Sequence, residues 1–339
     1  MTTQEAQITR VTETGKTIEG DSKQEYQVLE VTTKDGQTVE VLNTQTPFSR
    51  WTSYQVGEHI QLTQQPDDTW IITDFVRRPA LLELGLLFTV LVIAIGRWWG
   101  VRALLSLIIS FAIIFGLILP LILQGWNPLL VTLTSSILII PTTFYLSHGI
   151  NHKTHVAVAG TLISLLISGL LAVTFVDRAH LTGFASEEAS FLSIEAQNTI
   201  DIRGLLLAGI IISVLGTLDD IAVSQASFVQ QLKESRPKIS LRELFARAMS
   251  VGQDHISSLV NTLVLVYTGA SLSLLLLFID SDVTPNQLFN LEIIADEVVR
   301  TLVGSIGIVL AAPITTLIAA LVFAKVKNVV QPSNGTHQH

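Results

Sequence analysis

The feature that most constrains the fold is a long apolar stretch, Gly204 to Gln231, that carries two adjacent acids, Asp219 and Asp220. It is long enough to cross a bilayer as a helix, because about 20 apolar residues span the hydrocarbon core. A charge at that depth is costly, so intramembrane acids usually face the interior of a helix bundle and mark a pathway or a pairing site. The stretch therefore predicts a multi-span membrane protein with an acidic helix inside it.

The polar residues of this stretch fall on one side of the predicted helix. They are separated by alternating steps of four and three, the helical repeat, and they are Ser213, Thr217, Asp220, Ser224, Ser227 and Gln231. Asp219 lies about 100° away around the axis, on a second side. That side also holds small residues, which allow close approach of another helix: Gly209, Gly216 and Ala226.

Composition supports one soluble domain followed by one membrane domain. Hydrophobic residues make up 49% of the 339 residues and charged residues 14%, and the mean hydropathy is +0.53. That profile is typical of a multi-span membrane protein, yet residues 1–78 contain no long apolar run. The net charge of −8 argues against nucleic acid as a partner. Cysteine is absent, which excludes disulfides and thiolate chemistry.

Residues 1–78 have the pattern of a small all-β domain. Five short segments rich in β-branched and aromatic residues are separated by turn residues such as Asp35-Gly36 and Pro66-Asp67. Five strands in so short a stretch predict a barrel-like, OB-like fold. The domain has no basic cluster, so we expect a spacer or a partner-docking domain and not a nucleic-acid binder.

The membrane domain, residues 79–330, is predicted to contain seven spans and to be followed by a polar tail, residues 331–339. The spans are 80–96, 101–123, 128–147, 154–176, 204–228, 257–279 and 298–324. Between the fifth and sixth spans, apolar residues recur at helical spacing from Leu241 to Met249, which predicts a short interfacial helix. In the last span, Gly304, Gly307 and Ala311 predict a packing face of small residues.

The distribution of Lys and Arg predicts the orientation. Loops on one side carry ten of these residues and loops on the other side carry five. Because cytoplasmic loops are enriched in Lys and Arg, we expect a cytoplasmic C-terminus and an external β domain in a bacterial cell membrane. No signal peptide precedes the β domain. Either the first span translocates the 78-residue segment, or a leading span encoded upstream is missing from this sequence, and we expect the second.

Four segments of the membrane domain carry a resemblance to a known family. They are His148–Thr154 with Ala157–Leu162, Leu181–Gly183 with Glu187-Glu188, Gly216–Ser224, and Gly252–His255 with Asn261–Leu263 and Tyr267–Gly269. These segments resemble the YibE/F family of bacterial integral membrane proteins. The resemblance aligns Asp220 with the core acid of the family and leaves Asp219 as an extra carboxylate. It implies a transporter-like protein without an established activity.

The leading hypothesis is a secondary transporter or ion-coupled permease that moves a proton or cation with a small solute. Its predicted substrate- and ion-binding residues are Thr217, Asp219, Asp220, Ser224, Asp254 and Asn261. Asp220 is the predicted coupling acid, Asp219 its partner and Asn261 a polar ligand. Asp254 and Asn261 share one face of the sixth span, which could line a hydrophilic seam with the fifth span or serve only as polar contacts between helices.

Two other classes of function stay open at this stage. One is a membrane scaffold whose β domain binds an envelope partner, and the other is an intramembrane enzyme with an aspartyl dyad. The second is disfavoured because no second acidic motif appears on another span, and no nucleotide loop, nucleophile elbow or zinc-protease motif is present. We therefore expect no enzymatic activity and no cofactor. Expected partners are membrane lipids, the transported species and, as one arrangement, further copies of the chain.

A metal site is not expected either. His148, His152 and His155 would align on a helix like a metal triad. Gly149 and Asn151 between them disfavour a helix, so we predict a turn there.

Overall fold

The computed structural model describes residues 3–19, 22–44, 52–197, 199–279 and 284–325. It divides the chain into two compact units, Met1–Ala94 and Ile95–His339, and the two are described separately below.

The β domain of the first unit is an antiparallel half-barrel. Its strands are β1 (Thr3–Glu19), β2 (Ser22–Thr33), β3 (Thr38–Thr44), β4 (His59–Gln64) and β5 (Trp70–Phe75). The strand order is β3-β2-β1-β4-β5, and the edge strands β3 and β5 approach each other. The buried core includes Ile8, Leu29, Val31, Ile60 and Leu62. The prediction of a small barrel-like β domain is confirmed.

The long strand β1 allows the sheet to curl until its edge strands β3 and β5 approach each other. Its first residues pair with β4, and most of its length pairs with β2. Two irregularities in the register, between Ile8 and Arg10 and between Val11 and Glu13, interrupt the β2 ladder. Such bulges bend a strand and increase its twist, so β1 can serve both halves of the curled sheet.

Most of the described residues between 78 and 325 are helical. The helices are α1 (Arg78–Ile113), a π-helix (Ile114–Ile118), α2 (Leu119–Leu123), α3 (Pro128–His148), α4 (His152–Arg178), α5 (Glu187–Glu195), α6 (Ile202–Ser235), α7 (Leu241–Ala270), α8 (Leu272–Ile279), α9 (Pro285–Phe289) and α10 (Glu292–Lys325). Side-chain caps set several of their starts. Asn127, Asn151 and Asp201 accept hydrogen bonds from backbone N–H groups in the first turns of α3, α4 and α6, respectively.

Five of the described helical stretches are long and apolar enough to cross a membrane, and a sixth is formed if α7 and α8, bent by 67°, count as one span. The first stretch, Arg78–Leu123, has 46 residues. That corresponds to about 69 Å, roughly twice the thickness of the hydrocarbon core. Arg97, at φ 47° and ψ −127°, interrupts the helical geometry within it. Two crossings in this stretch, and therefore seven spans in all, stay a prediction.

The predicted interfacial helix is not a separate element. Helix α7 begins after Ser240, whose Oγ accepts a hydrogen bond from Glu243 N, and it continues without interruption to Ala270. The chain has no proline between these points. Gly252 lies on the inner side of α7, where an added Cβ would be 2.9 Å from Gln225 Nε2 of α6. Gly252, which could have ended the helix early, is therefore used for close packing.

Helices α4, α6 and α10 pack against one another at the centre of the second unit. Small residues allow α4 and α10 to approach closely. A Cβ added to Gly160 would lie 2.2 Å from Thr315 Oγ1, and one added to Gly307 would lie 2.5 Å from Ser168 Oγ. Gly307 and Ala311 are buried, as the predicted packing face of the last span requires.

Candidate functional site

Helix α6 presents its two adjacent acids in different directions. Asp219 is partly buried, and its Oδ1 has no hydrogen-bond partner among the described residues. Asp220 is exposed. The difference follows from the rotation of about 100° per residue along a helix. The two carboxylates therefore leave the helix on different sides.

Asp219 lines a cavity of about 400 Å³. The walls come from the last turns of α1, the π-helix, α3 and α6. The lining residues are Ala103, Ser106, Leu107, Ser110, Ile114, Ile118, Ser136, Ile139, Ile140, Thr143, Phe144, Ser147, Ile212, Leu215, Gly216 and Asp219. Asp219 is the one charged residue in this set. The cavity is thus an apolar chamber with several hydroxyl groups and one carboxylate, a pattern typical of small-ligand sites.

Three serine hydroxyl groups of the cavity already donate their protons to backbone carbonyls, so they can only accept a further hydrogen bond. Ser106 Oγ donates to the carbonyl of Thr143 at 3.3 Å, Ser110 Oγ to the carbonyl of Ser106 at 3.1 Å, and Ser136 Oγ to the carbonyl of Thr132 at 2.8 Å. A hydroxyl group that has used its proton still carries lone pairs that can accept. Together with the Asp219 carboxylate, these oxygen atoms suit a proton, a protonated group or a small cation.

One wall of the cavity is a π-helix, which the sequence analysis missed. Ile114 and Ile118 both line the cavity, and the element joins α1 to α2. Single π turns inside helices are rare and often occur at functional sites. The available signal was Pro120 within an apolar run, because proline lacks the N–H group that an α-helix needs there.

Gly216 makes room for the cavity beside Asp219. A Cβ added to it would meet no atom within 4 Å. Its lack of a side chain is therefore not a packing requirement of a neighbouring helix, in contrast to Gly160. It leaves open space on the cavity side of α6.

The predicted polar stripe of α6 does not face this cavity. Asp220 and Ser224 are exposed, and Thr217 is half-buried. The Thr217 hydroxyl donates to the carbonyl of Val214 on its own helix at 2.9 Å. The structure thus separates Asp219 from the other predicted ion-binding residues of α6.

The predicted polar face of α7 is also exposed. Asp254 and Asn261 both lie on the exposed side of this helix, which packs beside α6. Within the described parts of the chain, no hydrogen bond joins the two stripes. The predicted seam between the fifth and sixth spans is therefore a pair of neighbouring exposed polar faces, and its role as a pathway stays a prediction.

Gln225 is a buried polar residue that the sequence analysis did not single out. Its side chain is 1% exposed, and its Oε1 accepts a hydrogen bond of 2.8 Å from Thr316 Oγ1 on α10. It also lies against Gly252 of α7. Gln225 therefore joins α6, α7 and α10. The signal was the same as for Asn261: an amide inside an apolar span needs a partner.

The chain turns between His148 and His152, as predicted, and His155 lies within α4. His148 ends α3, His152 begins α4, and Gly149 between them has φ 79°. His155 Nδ1 is 2.8 Å from Tyr145 Oη. In the described ranges, no group of three or more histidine, cysteine or acidic residues is placed to hold a metal ion.

Comparison with known proteins gives one match. The family model described as YibE/F-like protein matches residues 84–325. No curated protein matches the chain, and no solved structure does.

Proposed function

The chain belongs to the YibE/F-like family, and from the cavity around Asp219 we propose that it is a membrane transporter or permease that binds a proton or cation inside its helix bundle. The several apolar helices support its being a membrane protein. The transported solute would be small, and membrane lipids would surround the helices. Following the Lys and Arg asymmetry, we propose a cytoplasmic C-terminus and an external β domain in the cell membrane.

The observation that carries this proposal is the unpartnered oxygen of Asp219. A buried charge without a partner is strongly unfavourable, so such a carboxylate must be protonated, paired or metal-bound. Asp219 Oδ1 has no hydrogen-bond partner in the described structure, and it lines a cavity rich in hydroxyl oxygens. A proton or small cation supplies the missing interaction. Because it can leave again, the site suits reversible binding better than a permanent salt bridge would.

The two acids have different proposed roles. Asp219 would hold the ion in the cavity. Asp220, on the exposed side of α6, is the acid that the resemblance of the sequence segments favours, and its role in coupling stays a prediction. The two can be separated because Asp→Asn keeps the shape of the side chain and removes its charge.

The test is a current measurement on proteoliposomes adsorbed to a solid-supported membrane. A step in external pH or in Na⁺ concentration should produce a transient current from ion binding, even without the solute. Asp219→Asn should abolish the transient, and the matched control Glu188→Gln, an exposed acid at the start of α5, should retain it. Asp220→Asn shows whether the second acid also contributes.

The proposal fails if the wild-type protein gives no transient to either ion, or if Asp219→Asn leaves the transient unchanged. In that case the scaffold hypothesis takes its place, with the β domain binding an envelope partner. Pull-down with the full chain would then be the next measurement.

A further inference from the structure

A second cavity, of about 220 Å³, lies where α6 and α10 begin. Its walls are the loop after α4, the start of α5 and the first turns of α6 and α10. It shares no lining residue with the cavity around Asp219. The proposed ion site makes no use of it.

Three charged residues line this cavity, Asp296, Glu297 and Arg300, and two of them have a buried atom without a partner. Asp296 is only 8% exposed, and its Oδ1 has no hydrogen-bond partner among the described residues. Arg300 Nε is also buried and without a partner there. The two residues are four apart on α10 and so share one face of the helix. A buried polar atom without a partner is energetically unfavourable. A ligand that binds Asp296 Oδ1 and Arg300 Nε would therefore be stabilised.

The wall opposite α10 is held in place by specific contacts. Glu292 Oε1 accepts hydrogen bonds from Thr182 Oγ1 at 2.8 Å and from Gly183 N at 2.9 Å. Gly183 has φ +84°, and a Cβ there would lie 2.7 Å from the carbonyl oxygen of Ile202. Only glycine fits this position without strain. The cavity is therefore bounded by a fixed loop and not by a loose gap between helices.

The geometry points to a small zwitterion, of the α-amino acid class, as the ligand of this cavity. Its ammonium group would bind Asp296, and its carboxylate would bind Arg300, whose planar guanidinium matches a carboxylate. A lone cation would leave the buried Arg300 Nε unpaired, and a lone anion would leave Asp296 Oδ1 unpaired. The volume is below the range typical of drug-sized ligands, which restricts the ligand to a few heavy atoms. This inference goes beyond the proposed ion site and does not depend on it.

The test is titration calorimetry of the purified full chain in detergent, with glycine, L-alanine and L-serine as probes. At least one of them should bind saturably. Acetate and methylammonium each carry only one of the two charges. Each loses a charge-assisted hydrogen bond, so its affinity should be lower than that of the amino acid by a factor of about ten or more. Asp296→Asn and Arg300→Gln should weaken binding of the same probe by a similar factor.

Two further variants keep the test clear of folding effects. Arg203→Gln is the matched control, because it removes an exposed guanidinium that pairs with Asp177 and does not line the cavity. It should bind as the wild type does. Arg300→Lys keeps the charge without the planar fork and should bind with intermediate affinity, and size-exclusion chromatography reports whether each variant is folded. The inference is overturned if no probe binds the wild-type protein, if a singly charged probe binds equally well, or if the folded Asp296 and Arg300 variants bind like the wild type.

Discussion

Helices α4 and α10 approach so closely at Gly160 that a single added methyl group should separate them. A Cβ at this position would lie 2.2 Å from Thr315 Oγ1, 3.0 Å from Thr315 Cβ and 3.2 Å from Thr315 Cα. All three distances are below the optimal contact distance of about 3.5–4.0 Å. Rotation of the threonine side chain relieves only the first, because its Cβ and Cα belong to a buried helix.

The magnitude follows from comparison with Gly216, where an added Cβ meets no atom within 4 Å. Gly→Ala inside a helix gains up to about 1 kcal/mol from helix propensity at either position. Overpacking at Gly160 costs about 1–3 kcal/mol. Propensity cancels between the two variants, so Gly160→Ala should be less stable than Gly216→Ala by about 1–3 kcal/mol.

The assay is unfolding of the purified protein in mixed micelles by titration with a denaturing detergent, followed by circular dichroism. Gly216→Ala should unfold at or above the wild-type midpoint, and Gly160→Ala below the midpoint of Gly216→Ala. Equal midpoints for the two variants would show that α4 and α10 are not in contact at Gly160. The packing of the central helices described above would then be wrong.

Two further predictions follow. The chain contains no cysteine, so Ser190→Cys should be labelled by an impermeant thiol reagent outside intact cells and Ser235→Cys should not; the reverse pattern would contradict the proposed orientation. Gly216→Leu should fill the space beside Asp219 and abolish the transient current of the proteoliposomes, whereas Gly269→Leu, at an equally open helical glycine that does not line the cavity, should preserve it. Equal currents in these two variants would show that the cavity is not where the ion binds.

The sequence was sufficient to predict the elements that depend on local patterns. Alternating apolar residues and turn residues indicated the β domain, and uninterrupted apolar runs indicated the helices. The turn between α3 and α4 was predicted because Gly149 and Asn151 disfavour a helix. In the structure Gly149 adopts φ 79° and Asn151 caps α4. These features depend on neighbours in the chain, which the sequence shows directly.

The side of α6 that faces the cavity could not be predicted in the same way. Helical spacing shows that Asp219 and Asp220 point in different directions, but not which direction leads inside. The polar stripe with Asp220 looked like the interior, yet its hydroxyl groups at Ser213 and Thr217 donate to their own helix. A serine or threonine that bonds its own backbone is compatible with either face. The answer depends on where α1 and α3 pack, which local patterns do not specify.

The π-helix and the length of α7 were missed for a related reason. The π-helix adds one residue to a turn, and the apolar residues around Ile114 and Ile118 have the same composition as an ordinary helix. Helix α7 continues past Gly252 because Gln225 packs against that glycine. A local insertion produces the π-helix, and a tertiary contact accompanies the continuation of α7. Neither changes the periodic pattern of apolar residues in the sequence.

The most direct test of the central claim, that Asp219 exchanges a proton or cation inside the bundle, is infrared difference spectroscopy of the purified protein during a pH titration. Protonation of a carboxylate produces a carbonyl stretching band that can be assigned by comparing Asn variants. The account predicts that the wild type shows a titrating carboxyl band that Asp219→Asn loses and that Asp220→Asn retains, and that Gly216→Leu shifts it. A wild-type spectrum with no band that depends on Asp219 would contradict the account and leave Asp219 a structural residue.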